Sequence, residues 1–345
     1  MKISYFFVLV FIASWGCSRT ADNISYSEQT LLTAEISMSI SDEFPTQSIF
    51  SVKKSNEWLG VIFMEEINDK KIGIYNLRSH TFNTYPPANN PFPPLFNLND
   101  FCFYENKIVL IGGQIETITL NYNAEEVKKE KIDHGDPQYW STQGYFDMWD
   151  DKMLTSLALP PVDDFPGMFS FIQNKKPKHF FGEIPDYLKE RGVFRQYPAF
   201  VADRAEDKFY VKLQFDTLIY EYDLKTRKEK EIPIPAPKHF QRDVKVNKIE
   251  SADDAAAMAA RGNAQKNAHF RWIKVLPESI YYIYTHYDTN KHKKHTLYHY
   301  APASNQVFYQ DITDILIGKT YFQEDSIFSV SEPQKIIEYY LLKEI

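Results

Sequence analysis

The sequence is poor in cysteine and glycine, carries no excess of positive charge, and has no long apolar run beyond its first residues. Its 345 residues include only 2 cysteines and 12 glycines, and the formal net charge is −7. Two cysteines exclude a disulfide framework as the main source of stability. The acidic balance excludes a protein that binds nucleic acid through an overall basic surface.

What is abundant favours strands. Hydrophobic residues make up 43% of the chain and aromatic residues 16%, with 23 Tyr and 26 Phe. This content is ample for a core and rules out wholesale disorder. Flat rings pack well on the pleated, half-buried surface of a sheet, so the composition predicts an all-β fold. The length allows two domains or one large closed architecture.

The N-terminus carries an export signal. Lys2 precedes an apolar run over residues 5–13, and a small residue, Gly16, stands directly before Cys17. This order predicts a secretory signal peptide over residues 1–16. It also resembles a bacterial lipobox, which implies that the Cys17 thiol is diacylated and becomes the mature N-terminus; the alternative is an ordinary signal peptide cut nearby.

The lipobox resemblance implies a place in the cell. A lipid on Cys17 would hold the protein at the membrane of the bacterial cell envelope, on the periplasmic or cell-surface side of the outer membrane. Residues 17–30 are polar and are predicted to form the lipidated N-terminus and a tether. Lipidation leaves Cys102 without a partner, and its setting between Phe101 and Phe103 predicts a buried, inert thiol.

A loose repeat fills the rest of the chain. Each unit has an apolar segment, a turn with acidic or Asn residues, an apolar strand, an alternating strand, a polar turn and a last strand. The clearest unit spans residues 200–234, and five others are visible. Four-stranded units with this period are typical of a β-propeller. The other five units centre on residues 56–85, 105–132, 150–182, 277–311 and 324–342.

The last unit lacks an outermost strand. The alternating segment 32–40 near the N-terminus can supply it, which would close the ring by pairing the two chain ends. The sequence therefore predicts one six-bladed propeller over residues 31–345. The alternatives are a seven-bladed ring or a pair of β-sandwiches, although no linker stands out near the middle of the chain.

With its six units and its lipobox, the chain resembles uncharacterised bacterial lipoproteins built as six-bladed, TolB-like propellers. The resemblance spans nearly all of the mature chain but rests on no site motif. It implies the propeller fold and a lipid anchor. Members of these families mostly have no assigned activity, so the resemblance implies little about function.

One segment departs from the strand pattern. Residues 251–266 are rich in alanine, and Ser251 with Asp254 resembles a capping box, so a helix is predicted near 251–266. It would lie in the connection between the fourth and fifth units, as a lid over the central channel or as an insertion without function.

The connections that enter the innermost strands hold the best ligand-binding candidates. Arg and aromatic side chains together suit carboxylates, sugars or peptides, through paired hydrogen bonds and stacking. Inter-blade packing is the alternative role for any one of them. The six candidates are Trp140, Tyr145, Arg195, Tyr197, His269 and Arg271.

Metal and catalytic motifs are weak. Asp133 and Asp136 form a turn ahead of Pro137 as readily as a cation site. His292, His295 and His299 lie around a lysine-rich hairpin, so a solvated tip is predicted instead of zinc. No catalytic motif is visible, so no metal, cofactor or catalytic residue is predicted.

These features predict a lipid-anchored, non-enzymatic propeller that binds a peptide, a glycan or a partner protein and no nucleic acid. The alternative is a metal-dependent hydrolase or lactonase of the six-bladed type, which would hold a divalent cation in the channel with carboxylates and Asn from several blades. A scaffold that works through its outer faces is a third possibility.

Overall fold

The fold is seen in a computed structural model that describes fourteen stretches of the chain. Within them the chain is all-β, with 25 strands and no helix, and the strands form six sheets. The predicted all-β class is confirmed. The described residues are 24–39, 48–66, 69–86, 98–112, 116–132, 145–156, 167–173, 176–182, 200–213, 216–240, 268–316, 319–323, 325–331 and 336–343.

Two strands precede the first blade, and blades one to four are each a four-stranded antiparallel sheet in chain order. The preceding strands are β1 (Ser25–Glu28) and β2 (Leu32–Ser39). Blade one contains β3 (Ser48–Ser55), β4 (Trp58–Glu66), β5 (Asp69–Asn76) and β6 (Phe82–Tyr85). Blade two contains β7 (Leu98–Tyr104), β8 (Lys107–Gly112), β9 (Glu116–Leu120) and β10 (Glu126–Lys131). Blade three contains β11 (Phe146–Trp149), β12 (Lys152–Ser156), β13 (Phe169–Gln173) and β14 (Lys176–Phe181). Blade four contains β15 (Phe200–Ala205), β16 (Lys208–Leu213), β17 (Leu218–Asp223) and β18 (Glu229–Pro233).

Blades five and six use the N-terminal strands as their outer edges. Strand β2 pairs antiparallel with β25, so the predicted closure of the ring by residues near 32–40 is confirmed. Strand β1 pairs parallel with β22. Blade five contains β19 (His269–Val275), β20 (Ile280–Tyr287), β21 (Lys293–Ala301) and β22 (Gln306–Asp311). Blade six contains β23 (Lys319–Gln323), β24 (Ser326–Ser331) and β25 (Ile336–Leu342).

Strand β1 lies within the segment that the sequence analysis assigned to a tether. Its four side chains are all exposed, so they show no alternation of apolar and polar residues that could reveal a strand. The Tyr26 hydroxyl donates to the Ala236 carbonyl at 2.9 Å, and Gln29 N–H donates to the Tyr309 carbonyl at 3.0 Å. Hydrogen bonds, not side-chain burial, therefore hold this segment on blade five.

The turn after each innermost strand explains the acidic and Asn residues that recur in the sequence. In blades one to four this turn has two residues, and the first adopts a left-handed backbone conformation. The φ angles are 51° at Asn56, 52° at Glu105, 45° at Asp150 and 52° at Glu206. Bulky apolar and β-branched residues are disfavoured in this region, so polar residues mark these turns.

The core consists of hydrophobic clusters between neighbouring blades, and every one of the six interfaces has such a cluster. The cluster that closes the ring packs Phe328 and Val330 of blade six against Val61 and Phe63 of blade one. Because each blade buries both faces against its neighbours, apolar side chains point to both sides of the central strands. The predicted six-bladed propeller is confirmed.

The two ends of the ring differ in their connections. In a four-stranded antiparallel blade, the innermost strand begins at the end where the outermost strand finishes, so one end carries all connections between blades. We call it the mouth end. Residues 251–266, for which a helix is predicted, lie outside the described residues, as do the predicted signal peptide and Cys17. Within the described ranges no helix could cross a membrane.

Candidate functional site

The innermost strands of all six blades surround a cavity of about 370 Å³. Strands β3, β7, β11, β15, β19 and β23 each contribute to its wall. The wall is unusually rich in charged side chains for the inside of a fold. Its charged members are Lys53, Asp100, Asp147, Asp203, Arg204 and Arg271.

Strand geometry places these side chains. Successive side chains of a strand point to opposite sides, so residues two apart share one side. Ser51, Lys53 and Ser55 of β3 line the cavity together in this way. The buried Val52 between them packs into the cluster at the interface of blades six and one. Polar residues at alternate positions of an innermost strand are therefore the sequence signal for the cavity wall.

Three ion pairs join innermost strands of neighbouring blades. All six side chains are less than one third exposed, so water screens the pairs only partly. Each pair spans one blade interface and fixes both partners. The pairs are Lys53 with Asp100 at 3.0 Å, Arg204 with Asp147 at 2.5 Å, and Lys274 with Asp203 at 3.2 Å.

Additional hydrogen bonds hold these carboxylates. Asp147 accepts from the Tyr145 hydroxyl at 3.2 Å and from the Met148 N–H at 2.8 Å. Asp203 accepts from the Val275 N–H at 2.9 Å. A buried carboxylate with a cation and N–H donors is held in one place, because each bond lost would leave a charge unpaired. The wall is thus rigid and pre-formed.

Cys102 and Tyr145 also line the cavity, and neither is ionised at neutral pH. Burial, reinforced by the Asp147 carboxylate, raises the pKa of the Cys102 thiol well above its usual range. The same two causes raise the pKa of Tyr145. A protonated thiol is a poor nucleophile. The prediction that Cys102 is a buried, free thiol is confirmed.

Three carboxylates from three blades meet the simplest requirement for a channel metal, but their surroundings do not suit one. Each of Asp100, Asp147 and Asp203 already has a cationic partner. In the part of the chain that the structure describes, no three His, Cys, Asp or Glu side chains are grouped so that they could hold a metal ion. As placed, the wall can orient a polar ligand.

The structure places three of the six predicted binding residues. Tyr145 and Arg271 both line the cavity, and His269 lies two positions before Arg271 at the mouth end of β19. Trp140, Arg195 and Tyr197 lie outside the described residues, as do Asp133 and Asp136. Sequence reasoning missed five charged residues of the cavity wall, namely Lys53, Asp100, Asp147, Asp203 and Arg204.

The prediction that the histidines of blade five lie at a solvated hairpin tip is correct for only one of them. His292 is in the turn before β21 and exposed, as predicted. His295 and His299, however, are not at a solvated tip, since they are only 5% and 3% exposed. The two residues are four positions apart on β21, so both side chains lie on the side of the sheet that faces blade six. The hairpin is long enough that both lie within the packed part of the blade.

No protein-family model and no curated protein matches the chain. A chain in the crystal structure of the mitotic checkpoint complex is 10% identical, covers 86% of this chain and 75% of that one, and gives a TM-score of 0.43. BamB from Moraxella catarrhalis is 7% identical, with 92% and 99% covered and a TM-score of 0.44. The N-terminal domain of Nup159 is 8% identical, with 93% and 99% covered and a TM-score of 0.42.

Proposed function

We propose that the protein is a binding module of the bacterial cell envelope, a TolB-like lipoprotein that takes a peptide, a glycan or part of a partner protein into its central cavity. The observation that carries the proposal is the wall itself. All six blades contribute to one cavity of about 370 Å³ in which the carboxylates are held by cations. A pre-formed polar pocket with few mobile groups suits recognition.

The chemistry of the described wall supports binding over catalysis. An activated nucleophile needs a base within hydrogen-bond reach. Ser51 and Ser55 line the cavity, but no described histidine lines it with them. The Cys102 thiol is protonated. The Ser51 hydroxyl lies 3.5 Å from Asp100 Oδ1, which is too long for an activated nucleophile, and that carboxylate is already paired with Lys53.

A metal-dependent hydrolase or lactonase is the second candidate, and the three cavity carboxylates are the observation in its favour. A divalent cation would have to displace Lys53, Arg204 or Lys274 from its carboxylate. Breaking such a partly buried pair leaves a cation without a partner, which costs free energy. The binding role needs no such rearrangement.

The anchor is tested at Cys17. We expect the protein expressed in a bacterium to incorporate a clickable palmitate analogue and to sediment with membranes. Cys17→Ser should abolish the label and release the protein, whereas Cys102→Ser should leave both unchanged because that thiol is buried. A label on Cys17→Ser, or a soluble unlabelled wild type with an ordinary cleaved signal, would contradict the lipid anchor.

The cavity is tested by filling it. Ser55→Trp places a large ring in the cavity, while Ser304→Trp puts the same ring in an exposed turn of blade five. A panel of peptides and glycans is screened for a rise in the melting temperature of the purified protein. Ligands of the cavity should stabilise wild type and Ser304→Trp but not Ser55→Trp. A ligand that stabilises all three alike binds elsewhere.

The same melting assay decides between the two candidates. A ligand at about 100 times its dissociation constant adds about 2.7 kcal/mol of stability, which shifts the melting temperature by several degrees. A fall with chelator that calcium, magnesium or zinc restores would favour the hydrolase. Indifference to chelator and to all three metals is the result we expect.

A further inference from the structure

Arg271 occupies a bulge at the mouth end of β19. The pairing of β19 with β20 moves from Phe270–Tyr284 directly to Trp272–Ile283, so Arg271 is an extra residue in its strand. The innermost strands β3 and β7 have the same irregularity close to their start, after Ile49 and after Leu98. A bulge redirects the extra side chain, and in blade five it turns an arginine toward the cavity.

Among the described residues of the cavity wall, Arg271 is a cation that has no carboxylate partner. Lys53, Arg204 and Lys274 each have a carboxylate within 3.2 Å. Among the described residues, no carboxylate forms an ion pair with Arg271. Its guanidinium lies over the Phe322 ring, whose centroid is 5.5 Å from the guanidinium carbon. Burial accordingly lowers the pKa of Arg271. A partly buried charge without a partner costs stability, so such a residue needs another reason to be there.

One neighbour of Arg271, Lys293, adds to its positive field. His269 and His295 both pair in register with Thr285, so they lie on the same side of blade five. Burial lowers the pKa of Lys293, and Arg271 lowers it further. Burial and then Arg271, Lys293 and His269 lower the pKa of His295 to about 3. His295 is therefore neutral at neutral pH, and the two cations Arg271 and Lys293 attract an anion and repel other cations.

We infer that Arg271 binds a carboxylate of the ligand at the wall between blades five and six. The inference rests on the proposed function, because it names the chemical group that the cavity recognises. A guanidinium that lies against a ring keeps its N–H edge free for two parallel hydrogen bonds to a carboxylate. The rings of Phe322 and Trp272 are stacked at 5.8 Å beside it. The group attached to the carboxylate is therefore expected to be apolar or aromatic.

The test compares two ligands that differ only in charge. Fluorine NMR follows the line width of para-fluorobenzoate and of para-fluorobenzamide with the purified protein, and inorganic phosphate serves as the competitor. The variants are Arg271→Met, which keeps an unbranched apolar side chain but removes the charge, and Arg271→Lys, which keeps the charge. Arg78→Met removes an exposed arginine of blade one and is the matched control.

We expect wild type and Arg78→Met to bind the benzoate and not the benzamide, and Arg271→Met to lose binding. Arg271→Lys should bind about tenfold more weakly, since it keeps the charge but loses one of two hydrogen bonds. The melting temperature of Arg271→Met should equal or exceed that of wild type, because an uncompensated charge has been removed. This result separates lost binding from misfolding.

Other results overturn the inference. Equal binding of benzoate and benzamide, or full binding by Arg271→Met, would show that Arg271 is not the carboxylate site. Phosphate that displaces benzoate at equal concentration would show that the site takes any oxyanion and is not specific for carboxylates. If a panel ligand binds in the cavity, is lost with Ser55→Trp and is kept with Arg271→Met, the inference fails while the proposed binding function stands.

Discussion

Lys274 of β19 and Asp203 of β15 form an ion pair behind the wall of the central cavity, which Asp203 lines. The Lys274 ammonium lies 3.2 Å from Asp203 Oδ1, and the two side chains are 9% and 8% exposed. Burial raises the pKa of Asp203, while Lys274 and the Val275 N–H oppose that rise. The pair therefore joins blades four and five at a point where both charges are largely shielded from water.

Asp203→Ala should be strongly destabilising. It leaves the Lys274 ammonium buried without a carboxylate, and breaking a buried pair costs about 3–5 kcal/mol. Lys128→Ala is the control, because its pair with Glu130 lies on an exposed outer strand where such pairs contribute about 0–1 kcal/mol. Urea unfolding measures both changes. Equal, small losses would mean that water reaches the Asp203 pair.

The double replacement Asp203→Leu with Lys274→Met should recover most of the stability lost in the single variants. Two apolar side chains of similar volume leave no buried charge, and such exchanges are often neutral or stabilising. Urea unfolding of the double variant and of the two single variants gives the coupling energy. If the double variant loses the sum of the single losses, the two side chains do not act as a pair.

Strand periodicity was sufficient to predict the architecture. The polar turns at Asn56, Glu105, Asp150 and Glu206 recur because the backbone there needs a left-handed residue, so they mark the blades directly in the sequence. The alternating pattern that starts at Leu32 identified β2, because this strand pairs with β25 and buries apolar side chains such as Leu32 in the ring. Strand β1 has no such pattern, since backbone pairing with β22 and the Tyr26 hydroxyl, not side-chain burial, hold its exposed residues.

The cavity could not be predicted in the same way. Lys53 and Asp100 are 47 positions apart, and Lys274 and Asp203 are 71 apart. Within its own strand, each of these four residues is a polar residue in an alternating pattern. A strand with one side in solvent has the same pattern. The polar side of an innermost strand faces other charged side chains only because the six blades form a closed ring, and that arrangement is not visible within a single strand. Tyr145 and Arg271 were found because aromatic and arginine residues near strand starts are distinctive.

His299→Phe should stabilise the protein, above all in acid. The His299 ring stacks between Tyr281 at 4.4 Å and Phe308 at 5.7 Å, and neither ring nitrogen has a hydrogen-bond partner among the described residues. Leaving buried polar atoms unpaired costs about 1–3 kcal/mol, which a phenyl ring would avoid. Urea unfolding at neutral pH should show this gain, and His292→Phe, at an exposed position, should show none.

The pH dependence follows from the same histidine. Burial lowers the pKa of His299 below the value of 6.5 that the unfolded chain retains. The folded state thus binds fewer protons than the unfolded one below that pH. Stability is fully present above pH 6.5 and falls as the pH drops, by about 1.4 kcal/mol per unit for each such group. His299→Phe should fall less steeply than wild type, and parallel curves would contradict a neutral, buried His299.

Lys212 should make stability rise with pH on the alkaline side. Its side chain is 0% exposed, and its ammonium donates to the Leu213 carbonyl at 2.6 Å and lies 3.8 Å from the Phe270 ring. Burial lowers its pKa from 10.5 to about 7. Between those values the unfolded chain binds the extra proton, so stability increases with pH. Relative to Lys212→Met, wild type should gain about 1.4 kcal/mol per pH unit.

The control for Lys212 is Lys230→Met, which removes an exposed lysine from the outer strand β18 of the same blade. It should leave the slope of stability against pH unchanged between neutral and mildly alkaline buffers. The difference between the two variants isolates the buried amine from the tyrosines, which titrate alike in both proteins. Identical slopes for Lys212→Met and wild type would mean that Lys212 keeps its proton throughout this range.

Leu31→Ala tests how the ring closes. Leu31 stands between β1 on blade five and β2 on blade six, and it is 0% exposed in the cluster that joins those blades. Its N–H donates to Gln310 Oε1 at 2.6 Å, and its carbonyl accepts from Lys343 N–H at 2.9 Å. A leucine that is fixed by both its backbone and its side chain to two blades should contribute strongly to their union.

Truncation of a buried leucine costs about 2–5 kcal/mol, so Leu31→Ala should shift the urea midpoint clearly. Ile24→Ala, at a side chain that is 39% exposed before β1, should cost about 0.5 kcal/mol or less. If the two losses are equal, the N-terminal segment lies on the ring without holding it together. A large loss confined to Leu31 would mean that the blade interface depends on a residue that lies 279 positions from its partner Gln310, as expected where chain ends complete a closed sheet.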